Sequence, residues 1–330
     1  MMEGDDMYDL DISPGARTLV EINGRVKKGE SVVVLTDDTM TDIAGVVAAS
    51  ARNVGADVLE CIMSVRGHDG QEPPDAAAAA MRKADVIFSP VRKSITHTRA
   101  MRAALENGAR AVLMTAHTPE ILCAPSLLKT DFEAQIPICR RLGDHLTSGD
   151  EIHLTGAGGT DLTFSLAGRR RANVLTAIPD PGELATVPTI EVNVVPIEGS
   201  AQGRVVADCC VPYIGIGILK EPITCEVEDG YITSITGGEQ ATMLRENLES
   251  HSDRNCFNVA ELGVGLNPNA RQTGHMLEDE GILGTVHIGI GTSFTLGGTI
   301  VAPTHYDLLL WDPKIEVDGR VIFADRQVAD

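Results

Sequence analysis

At 330 residues the chain is about twice the length of a typical domain, so two compact domains are expected, each long enough to bury a core. Hydrophobic residues at 43% and charged residues at 22% are globular values and exclude extended disorder. A formal net charge of −20 argues against nucleic acid and anionic membranes as partners, and the one dense basic run, Arg169-Arg170-Arg171, is too short to reverse that.

Residues 1–14 form an acidic leader without the charged-then-apolar pattern of a signal peptide, and no apolar run is long enough to span a bilayer. Seven cysteines with no Cys-x-x-Cys spacing suggest buried thiols rather than a disulfide framework. A soluble cytoplasmic protein is therefore expected. The β-branched run Ser31 to Thr36 reads as a parallel strand buried on both faces. Helical patterning follows over 41–53 and is closed by Gly55. A strand over 57–65, an Ala-rich helix over 75–83, a strand over 86–89, a helix near 98–107 and a strand over 111–114 continue the alternation. That alternation predicts βαβ units and a parallel sheet. No Gly-x-Gly-x-x-Gly follows the first strand and no Walker-type Gly-Lys-Ser/Thr occurs, so this half reads as a scaffold and subunit-packing domain rather than a nucleotide site.

A helix over 131–146 leads to an expected seam at Ser148-Gly149, dividing a domain 1–148 from a domain 149–330. Beyond it, 151–155 and 161–166 alternate like antiparallel strands joined through the glycine-rich turn Gly156 to Gly159. Hairpins are expected over 223–235, turning at Asp229-Gly230, and over 315–323, turning at Asp318-Gly319. One helix, over 239–251, interrupts them. The predicted fold is an α/β N-terminal domain with a parallel sheet plus a mostly antiparallel, β-rich (α+β) C-terminal catalytic domain.

Four short apolar stretches of the second half carry residues that apolar strands do not ordinarily hold: Glu191, Glu261, His287, and His305 with Asp307. Residues two apart on a strand share a face, so His305 and Asp307 project together. Any one of these has a bland reading as a solvent-facing or hydrogen-bonded residue. Two imidazoles and three carboxylates in one domain form a mixed donor set for divalent metals, and five donors exceed the need of one open zinc site. Glu280, beside Asp279, is a candidate general base whose alternative is an exposed turn carboxylate. His145, His153, His251 and His275 lie in polar contexts and read as solvated. No Gly-x-Ser-x-Gly elbow is present, which disfavours a serine nucleophile.

Glu-Leu-Gly-Val-Gly-Leu-Asn-Pro-Asn (261–269), Gly-Thr-Val-His-Ile-Gly-Ile-Gly (284–291), Gly-Gly-Thr-Ile (297–300) and His-Tyr-Asp (305–307) resemble the C-terminal signature of the aminopeptidase T, or M29, metallopeptidase family. Gly159-Thr160-Asp161-Leu162 and Arg169 resemble an upstream element of it. The resemblance implies two divalent ions (Zn, Co or Mn) held by Glu191, Glu261, His287, His305 and Asp307, with a metal-activated water attacking an amide. Two departures stand out: Phe294 occupies the place of a peptidase tyrosine, and the segment between His287 and His305 is short. Both point to a sister branch, the 2,5-dihydroxypyridine 5,6-dioxygenases. That branch holds one Fe(II) with two histidines and an aspartate, has histidine at the position of Glu261, and does not use the positions of Glu191 and His287.

The peptidase-like residues at all three positions favour a metal-dependent hydrolase of a short peptide or a small amide or heterocyclic metabolite, within a homo-oligomer. The alternative is a non-haem Fe(II) ring-cleaving dioxygenase in which His287 would stand in as the second imidazole. A metal-free binding or scaffold protein is the third reading.

Overall fold

The computed structural model describes residues 10–169 and 172–330. Most of the acidic leader, and Arg170 and Arg171 of the basic run, lie outside the described residues. Two compact units emerge, one formed by 1–133 with 177–188, the other by 134–176 with 189–330. The expected seam at 148/149 therefore needs correction. The helix Phe132–Ser148 belongs almost entirely to the second unit, and the chain later returns to give the first unit one more strand.

The first unit is built on a parallel sheet. Its strands are β1 (Ser31–Asp37), β2 (Asp57–Met63), β3 (Val86–Ser89), β4 (Arg110–Leu113) and the returning β8 (Leu184–Thr186), in the order β2-β1-β3-β4-β8. Helices Thr41–Val54, Asp75–Met81 and Arg99–Glu106 connect the strands as the apolar spacing predicted. The β1 run is apolar on both faces because both are covered. Val33 and Leu35 pack with Met81, Ile87, Met101 and Leu113 on one side, while Val32 and Val34 are fully buried on the other. Residues 13–23, for which no element was expected, form a helical turn and a π-helical segment.

The second unit contains an eight-stranded antiparallel sheet. It is made of β5 (Glu151–Gly156), β6 (Asp161–Ser165), β10 (Gln202–Ala207), β13 (Ile223–Glu228), β14 (Tyr231–Thr236), β18 (Pro313–Val317), β19 (Arg320–Ala324) and β20 (Gln327–Val328). The three expected hairpins all lie here, with Asp229, Gly230, Asp318 and Gly319 at positive φ. The short pair β11 (Cys210–Val211) and β12 (Gly217–Ile218) stands apart.

The other sheet of this unit has the order β17-β16-β15-β9-β7, its members being β7 (Asn173–Leu175), β9 (Glu191–Val194), β15 (Val259–Gly265), β16 (Thr285–Gly291) and β17 (His305–Trp311). All of its pairings are antiparallel. One face is apolar: Leu262, Val264, Val286, Ile288, Ile290, Leu308 and Leu310 are essentially inaccessible. The opposite face carries every donor singled out above. The seven cysteines are free thiols, five of them buried. No helix among the described residues is long and apolar enough to cross a membrane.

Candidate metal centre

The five donors converge through strand register. Glu261 lies opposite Gly289, and Gly289 lies opposite Asp307. His287 faces Gly263, His305 faces Gly291, and Glu191 faces Gly265. Each donor thus has a glycine as a cross-strand neighbour, and Gly263 and Gly289 leave room for His287, Glu261 and His305. A Cβ on Gly263 would fall 2.0 Å from His287 Nε2, and one on Gly289 would fall 2.8 Å from Glu261 Cβ and 2.9 Å from His305 Nε2. The two rings lie over glycines where a third row of side chains would otherwise stand.

Two clusters result, sharing Glu261: Glu191, Glu261 and His287 form one, and Glu261, His305 and Asp307 form the other. His287 Nε2 is 3.7 Å from Glu191 Oε2 and 3.9 Å from Glu261 Oε1. His305 Nε2 is 3.0 Å from Glu261 Oε2 and 3.4 Å from Asp307 Oδ1. Glu191, Glu261, His287 and Asp307 are all buried, whereas the side chain of His305 is 24% exposed, which marks the open end of the site. The exchange that would pair His287 with His305 and Asp307 needs correction. His287 clusters with the two glutamates on the β9 side, because its ring lies over Gly263 rather than over Gly289.

The two imidazoles differ in support. His305 Nδ1 donates to the carbonyl of Thr292 at 2.8 Å, which fixes the ring and leaves Nε2 facing two carboxylates. His287 Nδ1 is buried with no hydrogen-bond partner. A backbone carbonyl on the far nitrogen is the usual support of a metal-binding histidine, and only His305 has it. Thr292 begins the connection from β16 to β17, whose tip is tied down at Thr299. Both the Thr299 amide and hydroxyl donate to Glu198 Oε1 at 2.8 Å, and Arg169 pairs with the other oxygen of Glu198. Arg169, quoted above for its resemblance to a peptidase element, acts here on this loop. Phe294, in the same loop, is 61% exposed.

Electrostatics show what the site demands. Burial pushes Glu261 up, but the hydrogen bonds and charges of His287 and His305 outweigh it and hold its carboxyl below the usual range. Asp307 is held low in the same way, chiefly by His305 against its own burial. Burial opposes charge on the imidazoles, yet the surrounding carboxylates raise His287 to about 9 and His305 well above its ordinary value. Glu191 is pushed up to about 7 by burial, against the pull of His287. Three buried carboxylates around two ring nitrogens thus call for positive charge, as protons or as a cation. Glu191 Oε2 and Asp307 Oδ1 are buried without a hydrogen-bond partner, as atoms reserved for such a cation would be. The donor set therefore fits a divalent ion.

Several participants carried no sequence signal. Asn193 donates to Glu191 Oε1 at 2.9 Å and accepts from Asn173 at 2.7 Å, so an amide chain orients that carboxylate. Tyr213 reaches Asp307 and Glu280. Glu280 is half-buried at the end of the short helix Met276–Asp279, not an exposed turn carboxylate, and burial beside Asp307 raises it well above the usual range. His153 is partly exposed between Asp161 and Glu316, and His251 and His275 are exposed, as expected of solvated residues.

The sequence pattern of the 2,5-dihydroxypyridine 5,6-dioxygenases matches residues 20–330. The chain belongs to that family. Over 259 residues it is 26% identical to the 2,5-dihydroxypyridine 5,6-dioxygenase of Pseudomonas putida strain KT2440, covering 75% of this chain and 71% of that protein. The solved structure of a 2,5-dihydroxypyridine dioxygenase from Pseudomonas putida KT2440 superposes with a TM-score of 0.84 at 21% identity, over 98% of each chain. AmpT from Thermus thermophilus superposes with a TM-score of 0.68 at 16% identity, over 97% of this chain and 99% of that one, and so shares the fold. The expectation of an amide hydrolase is overturned by the family match: this is a dioxygenase-family enzyme whose likeness to AmpT lies in architecture.

Proposed function

We propose that this protein is a ring-cleaving dioxygenase acting on a dihydroxylated pyridine, with one Fe(II) held by Glu261, His305 and Asp307. The observation that carries the reading is the state of His305. Its Nδ1–H is committed to the Thr292 carbonyl, and its Nε2 faces Glu261 Oε2 and the unpartnered Asp307 Oδ1. Family membership supplies the reaction class. One imidazole and two carboxylates make a small, mostly oxygen donor set with positions left over, which suits Fe(II) in the manner of the facial triads of ring-cleaving oxygenases. Relative to the two histidines and aspartate of the resembled branch, Glu261 replaces one imidazole with an anion.

A bound Fe(II) supplies the redox chemistry that lets O2 react with an electron-rich ring. The reaction balances without an outside reductant: the bond between ring carbons 5 and 6 breaks, and both atoms of one O2 end in the product. The chain's residues hold the ion and shape its surroundings. His287 and Glu191 lie behind Glu261, the His287 ring standing between the two glutamates. The Asn173–Asn193 amides keep Glu191 turned towards it. The opening at His305 is where substrate and O2 arrive.

Protein purified without oxygen, loaded with Fe(II) and given 2,5-dihydroxypyridine is expected to consume one O2 per ring, read by an oxygen electrode beside loss of the ring's ultraviolet absorption. An intact ring in the presence of bound Fe(II) and O2 would overturn the proposal.

A further inference from the structure

Tyr213 enters the site from outside the five-stranded sheet. It follows β11, and the segment leading to it runs along the open edge of β17: the Cys209 amide donates to the Leu309 carbonyl at 3.1 Å, and Asp208 Oδ1 accepts from the Trp311 amide at 2.8 Å. A turn then fixes the tyrosine backbone, with the Ile216 amide donating to the Tyr213 carbonyl at 2.9 Å and Ile214 and Gly215 at positive φ. The ring packs against Tyr306 with centroids 5.1 Å apart and planes tilted by 36°. A residue placed by a backbone pairing, a side-chain tie, a turn and a ring contact is not free to wander.

Its hydroxyl lies 2.6 Å from Asp307 Oδ2 and 3.0 Å from Glu280 Oε1. A phenol has one hydrogen. The shorter contact directs it at Asp307 Oδ2, with Glu280 Oε1 on the other side of the hydroxyl. The two oxygens of Asp307 are thereby made unequal: Oδ2 is occupied by the phenol, while Oδ1 has no hydrogen-bond partner and faces His305. A carboxylate on a metal binds through one oxygen or both, and the choice decides how many positions remain for substrate and O2.

We infer that Tyr213 is a positioning residue that restricts Asp307 to one-oxygen ligation, by holding Oδ2 away from the metal so that only Oδ1 is offered. The inference rests on the proposed iron site and concerns its geometry rather than its substrate. Glu280 fills the other side of the hydroxyl.

Tyr213→Phe keeps the ring and its contact with Tyr306 and removes the hydroxyl alone. Two measurements are made on the whole chain without substrate: Fe(II) affinity by anaerobic titration, and the visible absorption of the Co(II)-loaded protein, whose intensity falls as coordination number rises. The variant is expected to bind Fe(II) about 10- to 100-fold more weakly and to show a weaker Co(II) band as Asp307 gains a second bond. Tyr306→Phe, which removes a hydroxyl donating to Asn247 at 3.0 Å, is expected to change neither. An unaltered Co(II) band in Tyr213→Phe overturns the inference whatever the affinity, and leaves the iron reading standing if the wild type binds Fe(II). A wild type that binds no Fe(II) overturns both.

Discussion

Strands β1 and β15 are each seven residues long and buried almost throughout, yet they use their two faces differently. In β1 both faces are apolar, with Val32 and Val34 on one and Val33 and Leu35 on the other, and every side chain fills space. In β15 one face is apolar through Ala260, Leu262 and Val264, while the other reads Glu261, Gly263, Gly265. A buried carboxylate is tolerated where a counter-charge meets it, and an imidazole fits above a packed sheet where the residue beneath it has no side chain. A scaffold strand thus maximises volume, whereas a strand that carries chemistry alternates donors with vacancies.

Adding volume to the second kind of strand should produce the largest effect. Gly289→Ala places a carbon within 3 Å of both Glu261 and His305. We expect retained iron to fall on the order of 100-fold, as for loss of essential metal support, while the chain still folds; elemental analysis of the purified variant reads this. Full iron content in Gly289→Ala would break the comparison.

Removing volume from the first kind should act on stability alone. Phe88→Ala in β3, at a fully buried site, is expected to lower unfolding free energy by about 3–5 kcal/mol with iron per folded chain unchanged, read by denaturant titration beside elemental analysis. Iron lost from the folded fraction would show that the scaffold sheet also tunes the site.

A smaller effect should come from Glu198, which belongs to neither kind of strand. Burial raises its carboxyl, but hydrogen bonds from its own backbone amide, from Thr299 and from Arg169 outweigh that and lower it to about 2. An unfolded glutamate titrates near about 4.3. Between those values the unfolded chain takes a proton that the folded one refuses, so the contribution is complete above the upper value and is lost as pH falls through the lower. Glu198→Gln should therefore destabilise the protein at neutral pH by about 1–2 kcal/mol and flatten the acid limb of its stability profile, as acid melting curves would show.

The apolar run of β1, the helix after it and the three Gly-centred hairpins were legible because each is decided by local pattern or turn chemistry. The donors were legible as anomalies, since Glu and His are rare inside runs such as Val259 to Gly265. Their pairing was not, because it depends on register: the glycines of β15 and β16 were visible, but that Gly289 separates Glu261 from Asp307 follows only once the strands are aligned. Tyr213 was out of reach, because its place is set by a segment lying along β17 from almost a hundred residues away in sequence. The return of 177–188 to the parallel sheet was hidden likewise, three residues of β8 being too few to carry a period. The reaction class was misread for another reason. A metal donor set states what can be bound, and not which reaction the bound ion serves.

Thr292, whose carbonyl accepts from His305 Nδ1, stands at one end of a connection whose tip Glu198 ties down through Thr299. Between those anchors lies Phe294, 61% exposed, and Val301, just past the second anchor, is equally exposed. The plane of the imidazole, and with it the direction in which Nε2 is aimed, is therefore held by a loop that is itself pinned through Glu198 to Arg169.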